Sequence, residues 1–267
     1  MSEALRLKVV SKLEGEDINA IINDKILALI IEGYYPSELC DSMSEKILES
    51  EHVKNYTHEV FEEGKLVQKY YGVDRLGFPF NLTYNSPMES ELVQSYYREA
   101  TLGIARLRHF ANPAATPIDK LRLELDEKYQ WGANIAAFQG KKMLAGIGRI
   151  TKAALSYLSA EQPHFDALPL EFANLETQLA ANIYLKIPDK GGELEVWDIA
   201  PVDPLTKVPQ DWRAVLPPSI KIKPKKGDLV IFNCRRPHAI GAFEGVDRVT
   251  VQMFIGHQNN KSLQLWN

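Results

Sequence analysis

Three side chains of metal-binding types are spaced so that a β-sheet could bring them to one point. His164 and Asp166 are two residues apart, and side chains at positions i and i+2 of a strand point to the same face. An imidazole and a carboxylate held side by side can take two adjacent positions on an octahedral metal. His238, 72 positions after Asp166, can supply a third. Two histidines and one carboxylate form a facial triad that leaves positions open for other ligands.

A fourth residue of interest is Arg248, which follows the second histidine by ten positions. Its planar guanidinium suits a carboxylate, which it can bind through two parallel hydrogen bonds. From Arg248 to Ile255 polar and apolar residues alternate, and this period of two indicates a half-buried strand. Thr250 shares the polar face with Arg248 and could donate a hydroxyl hydrogen bond to the same ligand.

A second segment, Gln178–Leu185, alternates in the same way. Its even positions include Asn182 and Tyr184, while most of its odd positions are aliphatic. We expect the apolar faces of both strands to pack against helices and the polar faces to line a cavity, as in a barrel that holds a ligand.

The order of these four residues, His-x-Asp, a distal His and then an Arg, resembles the signature of the iron(II)/2-oxoglutarate-dependent dioxygenases. A bare His-x-Asp pair arises often by chance, and an isolated histidine is more commonly a surface or core residue than a ligand. The context adds specificity. Gly191–Gly192 resembles the glycine pair that follows the first ligands in this superfamily, and Gly227–Phe232 resembles the strand that leads to the distal histidine. Order, spacing and strand context agree across residues 160–256.

The resemblance implies roles for these four residues. The metal ligands for Fe(II), and with it the catalytic residues, would be His164, Asp166 and His238. The cosubstrate 2-oxoglutarate would be bound by Arg248, through its distal carboxylate; the strand alternation adds Thr250, with Tyr184 and Asn182 as lesser candidates. Of the three open metal positions, two would take 2-oxoglutarate and one O2.

The resemblance also implies a fold. We expect an α+β protein with a mostly β core, a double-stranded β-helix of the jelly-roll or cupin-like kind, with a helical N-terminal layer packed on it. The chain, residues 1–267, would form a single domain. Residues 1–140 would supply the mainly helical layer, and residues 141–267 the jelly-roll core that carries the metal site.

The implied reaction is hydroxylation of an aliphatic C–H bond, with 2-oxoglutarate decarboxylated to succinate and CO2. Related iron halogenases have Gly or Ala where this chain has Asp166, so hydroxylation is favoured over halogenation; desaturation and cyclisation remain open. Similarity to small-molecule and amino-acid hydroxylases, and to the related alkaloid halogenases, favours an amino acid or a derivative as substrate. The alternatives are a peptidyl or protein side-chain hydroxylase, a cupin-like metal-binding protein without 2-oxoglutarate turnover, and a jelly-roll binding module.

Helix signals concentrate in the first half of the chain. Ser37–Glu49 has one buried stripe, a helix start is indicated at Ser86–Glu89 with an end near Phe110, and Thr116–Pro117 indicates another start. Ile26–Ile31 reads as a strand, and residues 52–86 are hard to assign. After Gly132, strand-length segments alternate with turn residues.

Composition narrows the partners and the location. The net charge of −4 disfavours nucleic acid, which needs a basic face, and the short apolar runs and charged N-terminus predict no membrane span or signal peptide. Only Cys40 and Cys234 are present, which suits a reducing compartment, so we predict a cytoplasmic protein. Residues 198–218 form a long insertion between strands, which is either an inert loop or an active-site lid; we favour the lid because long loops in compact domains are often functional. The sequence does not indicate the oligomeric state.

Overall fold

The computed structural model of the protein describes residues 6–62, 65–83, 86–160, 163–168, 175–206, 209 and 211–267. Its helices are α1 (Gly15–Ile22), α2 (Ser37–Leu48), α3 (Glu91–Ala111), α4 (Pro117–Lys128), α5 (Ser156–Ala160) and α6 (Trp212–Val215). Its strands are β1 (Leu7–Val10), β2 (Ala28–Ile31), β3 (Lys54–Glu62), β4 (Lys65–Leu76), β5 (Ala133–Ile135), β6 (Ala137–Phe138), β7 (Lys141–Lys142), β8 (Ile147–Thr151), β9 (Thr177–Lys186), β10 (Leu194–Val196), β11 (Ile220–Ile222), β12 (Leu229–Asn233), β13 (His238–Ile240), β14 (Arg248–His257) and β15 (Leu263–Trp266). Short 3₁₀ turns lie at Phe80–Thr83 and Ala153–Leu155.

Two sheets form the β-core. The larger sheet has the strand order β1-β2-β12-β9-β14-β8-β4-β3, with β15 paired to β14 and β5 paired to β15. The smaller sheet has the order β11-β10-β13, and a backbone bridge between His164 and His238 extends it beyond β13. From β8 to β14 the chain passes repeatedly between the two sheets. This winding is a double-stranded β-helix, which confirms the predicted fold class.

The larger sheet packs on both of its faces, as the alternation of its strands predicts. The odd-numbered apolar residues of β9 and β14, such as Ile183 and Val251, belong to a core shared with α1, α2 and α4. The even-numbered residues Ala180, Tyr184 and Phe254 belong to a second core shared with the smaller sheet. Even-numbered side chains of β9 and β14 therefore point into the space between the sheets, where the candidate site lies.

The helical layer begins and ends mostly where its caps predict. Thr116 caps α4 by accepting a hydrogen bond from the Asp119 backbone N–H at 2.9 Å, and Pro117 occupies the first helical position. One predicted start is wrong. The helix predicted from Ser86–Glu89 begins at Glu91, because residues 87–90 form a turn and Ser90, not Ser86, accepts the N–H of Val93. A second serine four positions later therefore provides the cap.

The predicted boundary near residue 140 does not separate helices from strands. The first 140 residues hold the helices α1 to α4, but they also supply β1 to β5 to the larger sheet. The unassigned stretch 52–86 contains the long hairpin β3–β4, whose second strand pairs with β8. The two parts of the chain share one sheet, and their treatment as a single domain stays a prediction.

Within the described residues, no helix is long and apolar enough to cross a bilayer. The insertion at 198–218 is described except at residues 207, 208 and 210, and it contains the short helix α6. The Trp212 indole of α6 meets the Phe165 ring edge to face, with the ring centroids 6.2 Å apart. The insertion thus contacts the segment that carries His164 and Asp166, and its role as a lid stays a prediction.

Candidate metal centre

Backbone pairing brings the three candidate ligands together from two distant segments. The backbone N–H of His164 donates to the carbonyl of His238 at 3.0 Å, and the N–H of His238 donates back at 2.8 Å. Two residues on, the N–H of Asp166 donates to the carbonyl of Cys234 at 2.8 Å. The extended segment 163–168 is thereby held beside β13 and the turn before it.

The donor atoms of His164, Asp166 and His238 all lie within 4.8 Å of one another. His238 Nε2 is 3.5 Å from Asp166 Oδ2, and the two imidazole centroids are 4.4 Å apart. His238 is buried, Asp166 is half-buried and His164 is exposed. The Phe232 ring of β12 lies edge to face against His238, at 5.0 Å between centroids, so the cluster rests on the inner face of the larger sheet.

Two hydrogen bonds orient the ligand atoms. His238 Nδ1 is 2.9 Å from the Arg236 carbonyl oxygen, which can only accept. In the neutral ring Nδ1 therefore carries the proton, and Nε2 presents its lone pair to the cluster. The Asn81 side-chain amide donates to Asp166 Oδ1 at 3.3 Å, which leaves Oδ2 facing His238.

The Asp166 carboxyl is held in its ionised form. Burial raises its pKa, but a hydrogen bond from His238 in its protonated form, the charges of the protonated His164 and His238 rings and the charge of Arg149 lower it, and the net pKa lies well below the usual range. A charged carboxylate oxygen next to two imidazole nitrogens is the mixed donor set that suits non-haem iron(II). The residues present thus fit the metal that the sequence pattern implies.

The candidate cosubstrate residues lie on the same inner face. Arg248 is 4% exposed, and its guanidinium carbon lies 4.9 Å above the ring of Tyr184. Among the described residues no carboxylate is within ion-pair distance of Arg248, and its buried Nε has no hydrogen-bond partner. A buried cation without an acid partner is costly, and an anionic ligand would relieve that cost. Burial raises the pKa of Tyr184, against the nearby positive charge of Arg248.

Strand register places Thr250 and Asn182 relative to Tyr184. Thr250 lies directly opposite Tyr184 in the pairing of β14 with β9, and it is buried. Asn182 pairs with Gln252, one same-face step farther along the strand, and is half-buried. Thr250 is therefore placed beside Tyr184, two residues from Arg248 on one face, whereas Asn182 lies farther from the arginine.

Sequence reasoning missed three residues near the cluster: Asn81, Arg149 and Tyr56. Arg149 of β8 lies opposite Thr250, and its guanidinium lies 4.7 Å above the ring of Tyr56. No short sequence motif links these three residues to the ligands. The pairing of β3, β4 and β8 brings Tyr56 and Arg149 near the cluster, and the 3₁₀ turn at Phe80–Thr83 brings Asn81 there. The polar position of Arg149 in a short, otherwise mostly apolar strand was the one available signal.

Comparisons with known proteins give a family-model match and a related sequence, each over part of the chain. The sequence model of the 2OG-Fe(II) oxygenase superfamily matches residues 154–256. The L-isoleucine 3(1)-dioxygenase of Pantoea ananatis (strain AJ13355) is 25% identical in a match that covers 39% of this chain. That match spans only 41% of the length of the relative.

Solved structures share the fold over nearly the whole chain. An N-substituted L-amino acid dioxygenase from Burkholderia ambifaria AMMD superimposes with a TM-score of 0.59 at 16% identity, covering 95% of this chain and 91% of that one. The same protein in complex with alpha-KG also gives a TM-score of 0.59 at 16% identity, covering 94% of this chain and 90% of that one.

Proposed function

We propose that the chain, whose residues 154–256 match the sequence model of the 2OG-Fe(II) oxygenase superfamily, is a dioxygenase that uses iron(II), 2-oxoglutarate and O2 to hydroxylate an aliphatic C–H bond of a small molecule. The observation that carries the proposal is the pairing of two features on one inner face. One is a cluster of two imidazoles and an ionised carboxylate, and the other is a buried arginine without an acid partner among the described residues.

In this proposal the chain holds iron(II) through His164, Asp166 and His238. When bound, iron(II) with 2-oxoglutarate supplies the chemistry that activates O2 and decarboxylates the cosubstrate to succinate and CO2. The hydrogen bonds from His238 Nδ1 to a backbone carbonyl and from Asn81 to Asp166 fix the directions of the ligand atoms before a metal arrives.

Arg248 would bind the distal carboxylate of 2-oxoglutarate through its guanidinium. Burial makes this interaction strong, because the charge-assisted hydrogen bonds form where water does not compete. Thr250, beside Tyr184 and on the same face as Arg248, can donate a hydroxyl to the same carboxylate, and Tyr184 holds the guanidinium plane by stacking. Asn182 is a weaker candidate because it lies one step farther from the arginine.

We propose an amino acid or an amino-acid derivative as the substrate. The support is the resemblance to an L-isoleucine dioxygenase and to an N-substituted L-amino acid dioxygenase. Asp166 supports hydroxylation in particular, since this carboxylate fills the position that related halogenases leave open. A cytoplasmic location stays a prediction, in keeping with two cysteines that are both free thiols.

The test is an anaerobic titration of the protein with iron(II) and then 2-oxoglutarate, followed by the visible metal-to-ligand charge-transfer band. We expect the band in the wild type, its loss in His238→Ala, and at least tenfold weaker 2-oxoglutarate binding in Arg248→Met. Asp166→Ala should abolish hydroxylated product when candidate substrates are supplied.

The matched control is Arg98→Met, which removes an exposed arginine on α3 that pairs only with Glu91 among described acidic residues. It should bind both ligands as the wild type does. Iron binding without a 2-oxoglutarate band would contradict the proposal and favour a cupin-like metal protein. If neither iron(II) nor 2-oxoglutarate binds, the assignment of a metal centre to these three residues is wrong.

A further inference from the structure

We propose that Arg149 forms a second carboxylate-binding site, which recognises a carboxylate of the primary substrate beside the metal centre. The inference rests on the proposed function and deepens it, because it names the substrate as an anion. The position of the arginine, the absence of an acid partner and the crowding of positive charge around it carry the argument.

Arg149 pairs with Thr250 across β8 and β14, so its side chain projects from the same inner face as the candidate cosubstrate residues. The ring of His238 packs against Phe232 on that same inner face, so the arginine and the metal cluster share the space between the two sheets. A group held by Arg149 would therefore stand next to the metal centre.

The guanidinium of Arg149 has no acid partner. Within the described part of the chain no carboxylate oxygen is within 4.0 Å of it, and its buried Nε lacks a hydrogen-bond partner. The Tyr56 ring lies 4.7 Å below the guanidinium, and Nη2 donates to the Tyr56 hydroxyl at 3.4 Å. The tyrosine fixes the plane of the fork, as a site for a planar carboxylate requires.

A second arginine makes an anion more favourable there. Arg75 of β4 lies directly opposite Arg149 of β8, and like charges at directly opposed positions destabilise a strand pair. Arg75 is 9% exposed and donates to the Gly77 carbonyl at 2.5 Å. Burial lowers the pKa of Arg75, and the charge of Glu99 raises it. The charges of Arg149 and Arg75 both act on Tyr56, so a carboxylate beside the Tyr56 ring would face positive charge from both side chains.

The proposed site is distinct from the cosubstrate residues. Arg248 and Tyr184 lie on β14 and β9, whereas Arg149, Arg75 and Tyr56 lie on β8, β4 and β3, toward the sheet edge. These three residues also precede residue 154, outside the segment that matches the superfamily. All members of the superfamily share the cosubstrate, but their primary substrates differ. Residues outside the matched segment are therefore better suited to bind the primary substrate.

The test measures binding, not turnover. Protein loaded with manganese(II) and 2-oxoglutarate is titrated calorimetrically with two matched pairs: L-isoleucine and L-isoleucinamide, and N-acetyl-L-isoleucine and its primary amide. We expect the wild type to bind at least one carboxylate and to bind its amide more weakly. Arg149→Met should raise the Kd of that carboxylate about 10- to 100-fold, and Arg149→Lys should raise it less, because the charge remains without the fork.

Controls separate this inference from the proposed function. Arg149→Met should keep the wild-type charge-transfer band with iron(II) and 2-oxoglutarate, and Arg98→Met should match the wild type in every titration. If the wild type gives no charge-transfer band, the proposed function is wrong, whatever the result for Arg149. If only Arg149→Met loses the band, the arginine serves 2-oxoglutarate, and the inference is overturned. Equal binding of carboxylate and amide by the wild type, no binding of either, or an unchanged Kd in Arg149→Met would also overturn it.

Discussion

Asn81 controls the direction of the only carboxylate in the candidate metal centre. Its amide donates to Asp166 Oδ1 at 3.3 Å, so Oδ2 is the oxygen left to face His238 Nε2. Groups that orient metal ligands in this way tune affinity without touching the metal, and their removal commonly weakens binding 10- to 100-fold. Asn81 therefore acts through Asp166, as a positioning residue.

We predict that Asn81→Ala raises the Kd for manganese(II) about tenfold, because the Asp166 carboxylate gains rotational freedom. Calorimetric titration of the protein without added 2-oxoglutarate measures this directly. Asn134→Ala is the matched control, since Asn134 donates to Ser262 at the surface. An unchanged manganese affinity in Asn81→Ala would show that the hydrogen bond does not position the ligand.

Sequence analysis identified the site residues that are linked by a short, regular spacing and missed those that are not. His164 and Asp166 are two positions apart, and strand periodicity alone places them on one side. Asn81 is 85 positions from Asp166 and sits in a 3₁₀ turn, so no periodicity connects the two. Arg149 becomes relevant only because β8 pairs with β14 in a register that puts it opposite Thr250.

Among the elements, the turn before β13 is anchored by a buried arginine. Arg236 is 2% exposed and donates to both carboxylate oxygens of Asp24, at 2.6 and 2.7 Å, and to Asp198 at 3.0 Å. Its backbone carbonyl meanwhile accepts from His238 Nδ1. One residue thus joins the turn after α1, the start of the insertion and the orientation of a candidate ligand.

Arg6 gives an internal comparison for that anchor, because it contacts the same two aspartates from the surface. Its side chain is 33% exposed, whereas that of Arg236 is 2% exposed. We predict that Arg236→Met lowers the free energy of unfolding by about 2–3 kcal/mol, because buried charge-assisted hydrogen bonds are lost. Arg6→Met should cost less than about 1 kcal/mol, as surface ion pairs do. Urea unfolding of both variants tests the difference, and equal losses would contradict it.

Prediction of the elements succeeded where both faces of a strand have distinct neighbours. β9 and β14 separate helices from the inter-sheet core, so their residues alternate visibly. The hairpin β3–β4 was not assigned because β3 is an edge strand, paired with β4 alone among the described strands, and alternation is weak where neither face must be fully buried.

The glycine pair of the sequence pattern has a backbone explanation. Gly191 and Gly192 have φ values of +74° and +70°, and a Cβ on Gly191 would overlap the carbonyl oxygen of Ala242. Gly191 also bridges to Phe243, on the segment that follows β13. The pair is therefore needed for a close backbone approach at the edge of the smaller sheet.

At the scale of the whole molecule, the metal centre joins segments that the rest of the fold brings together from far apart. His164 and Asp166 lie in the extended segment 163–168, and His238 begins β13, more than 70 residues later. In the described structure this segment pairs with the smaller sheet through a single bridge at His164. A metal bound to all three side chains would cross-link that segment to the barrel, and only in the folded state.

We therefore predict that manganese(II) at about 100 times its Kd stabilises the protein by about 2.7 kcal/mol, since a ligand that binds only the native state shifts unfolding by mass action. For a chain of this size the midpoint of thermal unfolding should rise by about 5–10 °C, and a chelator should reverse the rise. His238→Ala should show no rise, whereas His109→Ala, at an exposed position near the end of α3, should respond as the wild type does. An equal rise in His238→Ala would mean that the stabilising metal binds elsewhere. Segment 163–168 would then be held beside β13 by backbone hydrogen bonds and not by a bound metal.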